Sequence, residues 1–397
     1  MDARPSGSVA APVDHERLAS IDLLRGLVIV LMVLDHVRDY VHVGRHTNPL
    51  EVASTTPALF ATRWVTHVCA PVFVFLAGVS AWLQRADGKP PRELARFLAT
   101  RGLWLIVLEL TVLTFAWQFW QPRLLFLQVM WAIGLSMLSL GALCGLPARV
   151  VLAIGAGVVA GHNALDSLLP SAFGPLAPLW TILHAGGSLA RDPVRIRIAY
   201  PVLPWIGVMA LGFGLGPVFQ LDTAPRRRWL TRLGVSFVAA FGLLRALDVY
   251  GDPGHWRVRD ALWRTLGDFL DVQKYPPSLL YTLVTLGPAL VLLPWLERAR
   301  GPVADFFLSF GRVPLFAYVV HIVLAHALAI VLAWAMGVPP SSNINALYAP
   351  TPASEAWGLS LPATYAVWLL VVALLAWPVR WFARLKQRRH DWWLGYL

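Results

Sequence analysis

The sequence predicts an all-α, polytopic helical membrane protein of about ten spans, with both termini in the cytoplasm. Three observations carry that prediction. Hydrophobic residues make up 57% of the chain against 14% charged, and the mean hydropathy is +0.60, far from soluble composition. Apolar runs of membrane-crossing length recur from end to end. The net charge of +11 is almost entirely Arg, with Lys only at 89, 274 and 386, and these charges fall in the connections between apolar runs, where they orient spans and meet lipid headgroups. That placement excludes a nucleic-acid partner and makes membrane lipids the expected one.

Residues 1–19 are polar and contain no short apolar core with a small-residue cleavage site, so they read as a retained cytoplasmic tail and not a signal peptide. One transmembrane domain is expected over 20–385, with a cytoplasmic tail over 386–397. The first span opens at Ile21, with Ser20 as its N-cap and Asp22 in its first turn. Thr55, Thr56 and Pro57 start the second, 58–83, because Thr caps and Pro suits the first helical position. Pro71 removes a backbone donor and displaces the carbonyl of His67, predicting a kink there. Further spans read as 100–119, 124–145, 148–161, 198–219, 229–247, 277–296, 313–336 and 361–383. Gly155, Gly157 and Gly161 read as helix-contact positions, and Trp392 and Trp393 as interfacial anchors.

Arg85, Lys89, Arg92, Arg96 and Arg101 fill the second connection, Arg226, Arg227 and Arg228 the sixth, and Arg298, Arg300 and Arg312 the eighth. The connection 337–360 has neither Lys nor Arg. Positive-inside therefore places 84–100, 220–228 and 297–312 in the cytoplasm and 337–360 outside. The long outer connections 162–197 and 248–276, rich in Pro, Gly and aromatics, read as interfacial or re-entrant pieces. Cys69 and Cys144 both lie in apolar spans, so neither a disulfide framework nor a thiolate metal site is expected, and no metal site is read elsewhere.

The unusual stretch is Ile21 to His42. At about 1.5 Å per residue, Ile21 to Leu34 rise roughly 21 Å, so Asp35 falls about two-thirds of the way across a core of about 30 Å. Asp35, Arg38, Asp39, His42 and His46 recur at helical intervals of three or four, and His36 faces Asp39 at i+3. Each such charge costs roughly 2.5 to 3.5 kcal/mol on insertion scales and marks a substrate site or proton path, or else a structural clasp between helices. By the same ruler Arg63 and His67 enter from outside, His326 reaches the depth of Asp35, Lys274 stands at the outer start of 277–296, and His184 lies in an outer connection. His321, near mid-membrane, reads as a bridge between helices by hydrogen bonding. No phosphate loop, HExxH or GxSxG motif is present.

SIDLLRGLVIVLMVLDHVRDYVH, TTPALFATRWVTHVCAPVFVFLAGVSAWL, FLQVMWAIGLSML, YPVLPWIGVMALGFGLGPVF, KYPPSLLYTLVTLGPAL and GRVPLFAYVVHIVLAH, in that order, resemble bacterial proteins related to the catalytic domain of heparan-α-glucosaminide N-acetyltransferase. The resemblance implies a transmembrane acyltransferase in the bacterial cytoplasmic membrane. It would take an acyl group, acetyl by the family pattern, from acetyl-CoA on the inner side and pass it to an envelope glycan or lipid-linked sugar on the outer face. Acetyl-CoA is then a donor substrate with no permanently bound cofactor, and a homodimer is left open. Where the animal enzyme has an asparagine and a glycine-rich run, this chain has Asp35 and His36, and the animal loop histidine falls near His46.

Acyl transfer needs a base and a group to orient it. His36 with Asp35 or Asp39 supplies both, with His67 and His46 as further catalytic candidates. Arg38, Arg63 or Lys274 would stabilise an oxyanion. Arg63, His42, Lys274, His184 and His326 are the candidate acceptor-binding residues. Arg92, Arg96 and Arg101 are the candidates for the phosphates of coenzyme A. The alternative is a proton-coupled transporter using the Asp/His/Arg set as a relay.

Overall fold

A computed structural model describes residues 15–119, 124–191, 194–389, 391, 393 and 394, the side chains of 15–18, 190, 191 and 194 excepted. The chain is an all-α polytopic membrane protein with one small sheet. In order its helices are α1 (His15–Val41), α2 (Pro57–Val65), α3 (Cys69–Ala86), α4 (Pro91–Leu108), α5 (Thr114–Gln118), α6 (Val129–Leu143), α7 (Ala148–Gly161), α8 (Ala177–Trp180), α9 (Val202–Gly214), α10 (Thr223–Leu247), α11 (Leu262–Leu270) and α12 (Leu279–Leu296). They continue with α13 (Pro302–Arg312), α14 (Pro314–Ala335), α15 (Pro340–Asn343), α16 (Pro352–Glu355) and α17 (Leu361–Arg388). Strands β1 (Leu124–Leu127), β2 (Gly187–Arg191) and β3 (Val194–Ile198) form a sheet of order β1-β3-β2, with β1 parallel and β2 antiparallel to β3.

Among the described residues 8 helical stretches are long and apolar enough to cross a membrane. Two predicted spans fall outside that set. α1 is long but carries Asp22, Arg25, Asp35, Arg38 and Asp39, and α6 has only 15 residues, because the apolar run 124–145 divides into β1 and α6. A continuous apolar run has no period to separate strand from helix.

Other boundaries move for local reasons. α1 starts at His15, so Ser20 and Asp22 lie inside it, not at its cap. Asp22 pairs instead with Arg25 at 2.9 Å. α4 starts at Pro91, which puts Arg92, Arg96 and Arg101 on its first turns and not in a connection. α17 runs past 385 to Arg388. Trp392 lies outside the described residues.

The second span behaves as its sequence requires. Thr56 Oγ1 accepts from the Leu59 amide at 3.2 Å and Pro57 is the first helical residue, and the helix tightens to a 3-10 turn at Thr66–Val68 before α3. Small residues then set a close helix crossing: a Cβ on Gly78 of α3 would stand 2.0 Å from the Met209 carbonyl of α9, and one on Gly212 2.0 Å from that of Phe75. Gly155 likewise meets α9, whereas a Cβ on Gly157 or Gly161 would have nothing within 4 Å among the described residues.

Hydrogen bonds gather the basic connections at one end of the bundle. Arg85 donates to the carbonyls of Cys144 and, at 2.8 Å, Leu146, Trp82 to Gln220 at 3.0 Å, and Arg226 and Arg227 fork onto the two oxygens of Glu297 at 2.7 and 2.6 Å. Both native cysteines are buried and free, which gives a silent background for labelling. Asp87→Cys, in the α3–α4 turn, and Ser341→Cys, in α15, are expected to react with an impermeant thiol reagent from opposite faces of the membrane. Labelling of both from one face overturns the orientation read from the arginines.

Candidate active site

Near the end of α1 two charges of each sign close on one another. Arg38 donates through Nη2 to Asp35 Oδ1 at 3.1 Å and to Asp39 Oδ1 at 2.6 Å. Arg63 of α2 donates through Nη1 to Asp35 Oδ2 at 2.5 Å. Asp35 is therefore shared by two guanidiniums, and the four charges sum to zero. The Thr56 cap fixes the start of α2, and the 3-10 turn after it lets His67 Nδ1 bond the Arg63 carbonyl at 3.0 Å. Tyr281 of α12 donates to the His67 carbonyl at 2.8 Å. Lys274 is buried within electrostatic reach of Asp35 and Asp39.

His36 does not take part in that clasp. Consecutive helical residues point about 100° apart, and the imidazole of His36 turns to α14, where its Nδ1 lies 2.7 Å from His321 Nε2. His321 Nδ1 in turn lies 3.0 Å from the Ala317 carbonyl. A carbonyl only accepts, so His321 carries its proton on Nδ1 and presents Nε2 as an acceptor. His36 must then donate from Nδ1, leaving its own Nε2 lone pair free. The expected carboxylate partner, Asp35 or Asp39, is thus replaced by a second histidine, one read from sequence only as a helix bridge. Trp117 and Tyr318 pack their rings 5.0 and 6.0 Å from that of His36.

His326 stands one rung further along the same helix pair. It stacks on Tyr40 at 4.7 Å and Phe119 at 4.0 Å, and its Nδ1 bonds the Ala116 carbonyl at 2.9 Å. His326 does not stand level with Asp35 across α1 and α14: the neighbours are His36 with His321 and Tyr40 with His326.

Below the histidine pair lies a cavity of about 370 Å³. Met32, Met130, Met137, Leu105 and Tyr318 line its interior, and Arg25, Arg101, Arg312 and Lys386 contribute basic groups. Arg312 is exposed and Lys386 half-buried, marking the open end. Tyr318 belongs both to the cavity wall and to the ring cluster, 5.4 Å from His321. Of the three arginines expected to meet a donor, Arg101 lines the cavity while Arg92 and Arg96 are exposed outside its lining. Lys386, read only as tail charge, belongs to it.

The remaining expected residues disperse. α1 ends at Val41, so the helical phase that placed His42 and His46 on the stripe is lost. His42 Nδ1 accepts from the Gly44 amide at 2.9 Å, and burial, then Arg38 and Arg45, hold its imidazole below the ordinary value. His46 is exposed; its neighbour Arg45 turns inward to the carbonyls of Trp357, at 2.8 Å, and Ser354. His67 lines a separate apolar cavity of about 200 Å³. His184 joins neither cluster, its Nε2 lying 3.0 Å from Asp166 Oδ1. Burial holds it below the ordinary histidine range, with Asp166 opposing.

Glu109 escaped the sequence reading. It is buried in a π-helical turn, Glu109–Leu113, and its Oε2 accepts from the Met130 and Trp131 amides at 3.0 and 3.2 Å, capping α6. An acid inside an apolar run was the available signal.

No curated protein matches the chain. The family model described as heparan-alpha-glucosaminide N-acetyltransferase, catalytic, matches residues 17–250. That range spans the clasp, His36 and Arg101, and stops short of Lys274 and His321. The chain belongs to the family of the heparan-alpha-glucosaminide N-acetyltransferase catalytic domain, a family of membrane acetyltransferases.

Proposed function

We propose that this protein moves an acetyl group from acetyl-CoA, held in the basic-mouthed cavity, to a hydroxyl or amine of an envelope glycan or lipid-linked sugar that approaches from the opposite end of the bundle. The membrane would be the cytoplasmic membrane of a bacterial cell. The observation that carries this reading is the His36–His321 hydrogen bond, whose polarity leaves Nε2 as the acceptor nitrogen of His36, with the His36 ring 6.0 Å from that of Tyr318 in the cavity wall. Arg101, Arg312 and Lys386 offer cations for the donor phosphates, and the methionine-lined interior suits a flexible thioester arm.

His36 Nε2 takes the acceptor proton as the acceptor oxygen or nitrogen attacks the thioester carbonyl. The new bond to carbon forms, the C–S bond breaks, and the proton passes from His36 to the leaving sulfur. His321 accepts from His36 Nδ1 throughout and so steadies the imidazolium. Arg63 and Lys274 are the nearby cations for the developing oxyanion. Asp35 is held between two arginines, which disfavours it as the carboxylate of a proton relay.

The test is acetyl transfer from labelled acetyl-CoA by purified protein in lipid discs. Arg101→Gln with Lys386→Gln is expected to raise the donor KM about tenfold or more, since a charge-assisted hydrogen bond contributes about 1.5 to 3 kcal/mol. Arg92→Gln with Arg96→Gln is expected to leave it unchanged. Unaltered donor kinetics in the first pair removes the cavity as the donor site.

A further inference from the structure

We propose that His162, Asp166 and His184 form a site for a zinc-class divalent cation, where the end of α7 meets the segment 177–185. Their ligand atoms all lie within 4.8 Å of one another. His162 opens a 3-10 turn, His162–Leu165, and Asp166 directly follows it. His184 is brought to them by the π-helical turn Thr181–Ala185. Two imidazoles and one carboxylate are the donor set of a zinc site that keeps a fourth position open, and imidazole donors select against magnesium and calcium.

What separates this cluster from a hydrogen-bonded pair is His162. It is 3% exposed, and neither of its ring nitrogens has a hydrogen-bond partner among the described residues. The Pro277 backbone lies close without meeting hydrogen-bond geometry. Nδ1 of His184, 2% exposed, is also unpartnered. Each buried polar atom left unpaired costs about 1 to 3 kcal/mol, and a cation bound by His162 and His184 removes that cost for one nitrogen of His162.

The surroundings hold the ligands in place. Asp166 Oδ2 accepts from Asn163 Nδ2 at 2.8 Å, and Asn163 Oδ1 accepts from the Leu279 amide at 2.9 Å, which fixes the carboxylate against the start of α12 in the way outer groups orient metal ligands. Bonds of about 2.0 to 2.2 Å in a tetrahedron separate ligand atoms by about 3.3 Å. The Asp166–His184 pair, at 3.0 Å, is already near that spacing, so only His162 has to rotate inward. Asp166 and His184 also line a cavity of about 240 Å³ with Gln273 and Tyr275, into which the open position faces.

The test is equilibrium dialysis of chelator-stripped full-length protein in detergent against zinc sulfate, with bound metal read by mass spectrometry. Wild type is expected to hold about one zinc ion per chain at micromolar free zinc, and His162→Ala, which removes a ligand outright, to lose at least the roughly 10 to 100-fold in affinity that loss of an outer-shell partner costs. His184→Gln, which keeps side-chain bulk, is expected to weaken binding in the same way and guards against a His162 variant that fails to fold. His255→Ala, at an exposed histidine paired with Asp248, is expected to bind as wild type does. Equal affinity in wild type, His162→Ala and His184→Gln, or no uptake by wild type, overturns the site.

Discussion

His36→Ala is expected to lower acetyl transfer by about 10² to 10⁴-fold, the range that a positioned acid–base group contributes, in a protein whose thermal stability is retained. His321→Ala should cost less, because the base survives and only its orientation is lost. His321→Gln, which can offer an oxygen to His36 Nδ1–H, should recover part of that loss. A merely structural His321 would show no such rescue. His46→Ala is expected to leave the rate unchanged, since His46 is exposed outside the cluster. Transfer from labelled thioester, read beside a melting curve for each variant, decides the matter. An inactive His46 variant with an active His36 variant would restore the loop histidine implied by the family resemblance. Full activity in both would shift the chemistry to His67 or His326.

The largest stability effect is expected from Asp35→Asn. Asp35 takes both Arg38 and Arg63, so its loss leaves two guanidiniums facing one carboxylate, with Lys274 nearby. Breaking a buried pair of this kind costs about 3 to 5 kcal/mol. Asp39→Asn should cost less: its side chain is 28% exposed and Arg38 keeps Asp35 at 3.1 Å. Stripe spacing alone points the other way, because it shows Arg38 between its two aspartates and hides Arg63. Asp35→Asn combined with Arg63→Gln is expected to recover part of the loss, as a charge-balanced pair is removed together. Denaturation in detergent measures all three, and equal losses for the two single aspartate variants would reject this view of the clasp.

Residues governed by local physics were legible from sequence. The Thr56 cap, the helix break at His67 and the span 148–161 each follow from a few adjacent side chains, and each stands where the sequence indicates. Pairings between distant segments were not. The sequence places charges on α1 by angle, yet the turn that separates His36 from Asp35 decides that one meets α14 and the other α2. Nothing in the spacing of Asp35 and His36 names His321 or Arg63, which lie 285 and 28 residues away. A rise counted along each helix also leaves open how two helices are set against each other, and the pairing of Tyr40 with His326 is set by that packing.

The clasp between Asp35 and Arg63 bears on how the chain enters its membrane. With Asp35, Arg38 and Asp39 in its last two turns, still within the expected span, α1 is a poor passenger for a translocon judging one segment at a time, since such charges disfavour partitioning by up to about 2.5 to 3.5 kcal/mol each. Its neutralising cation is on the next segment to leave the ribosome, across a connection that begins after Val41 and ends at Pro57. The two segments together carry balanced charge, so the hairpin of α1 with α2 and α3, and not α1 by itself, is the unit that biogenesis must release into lipid.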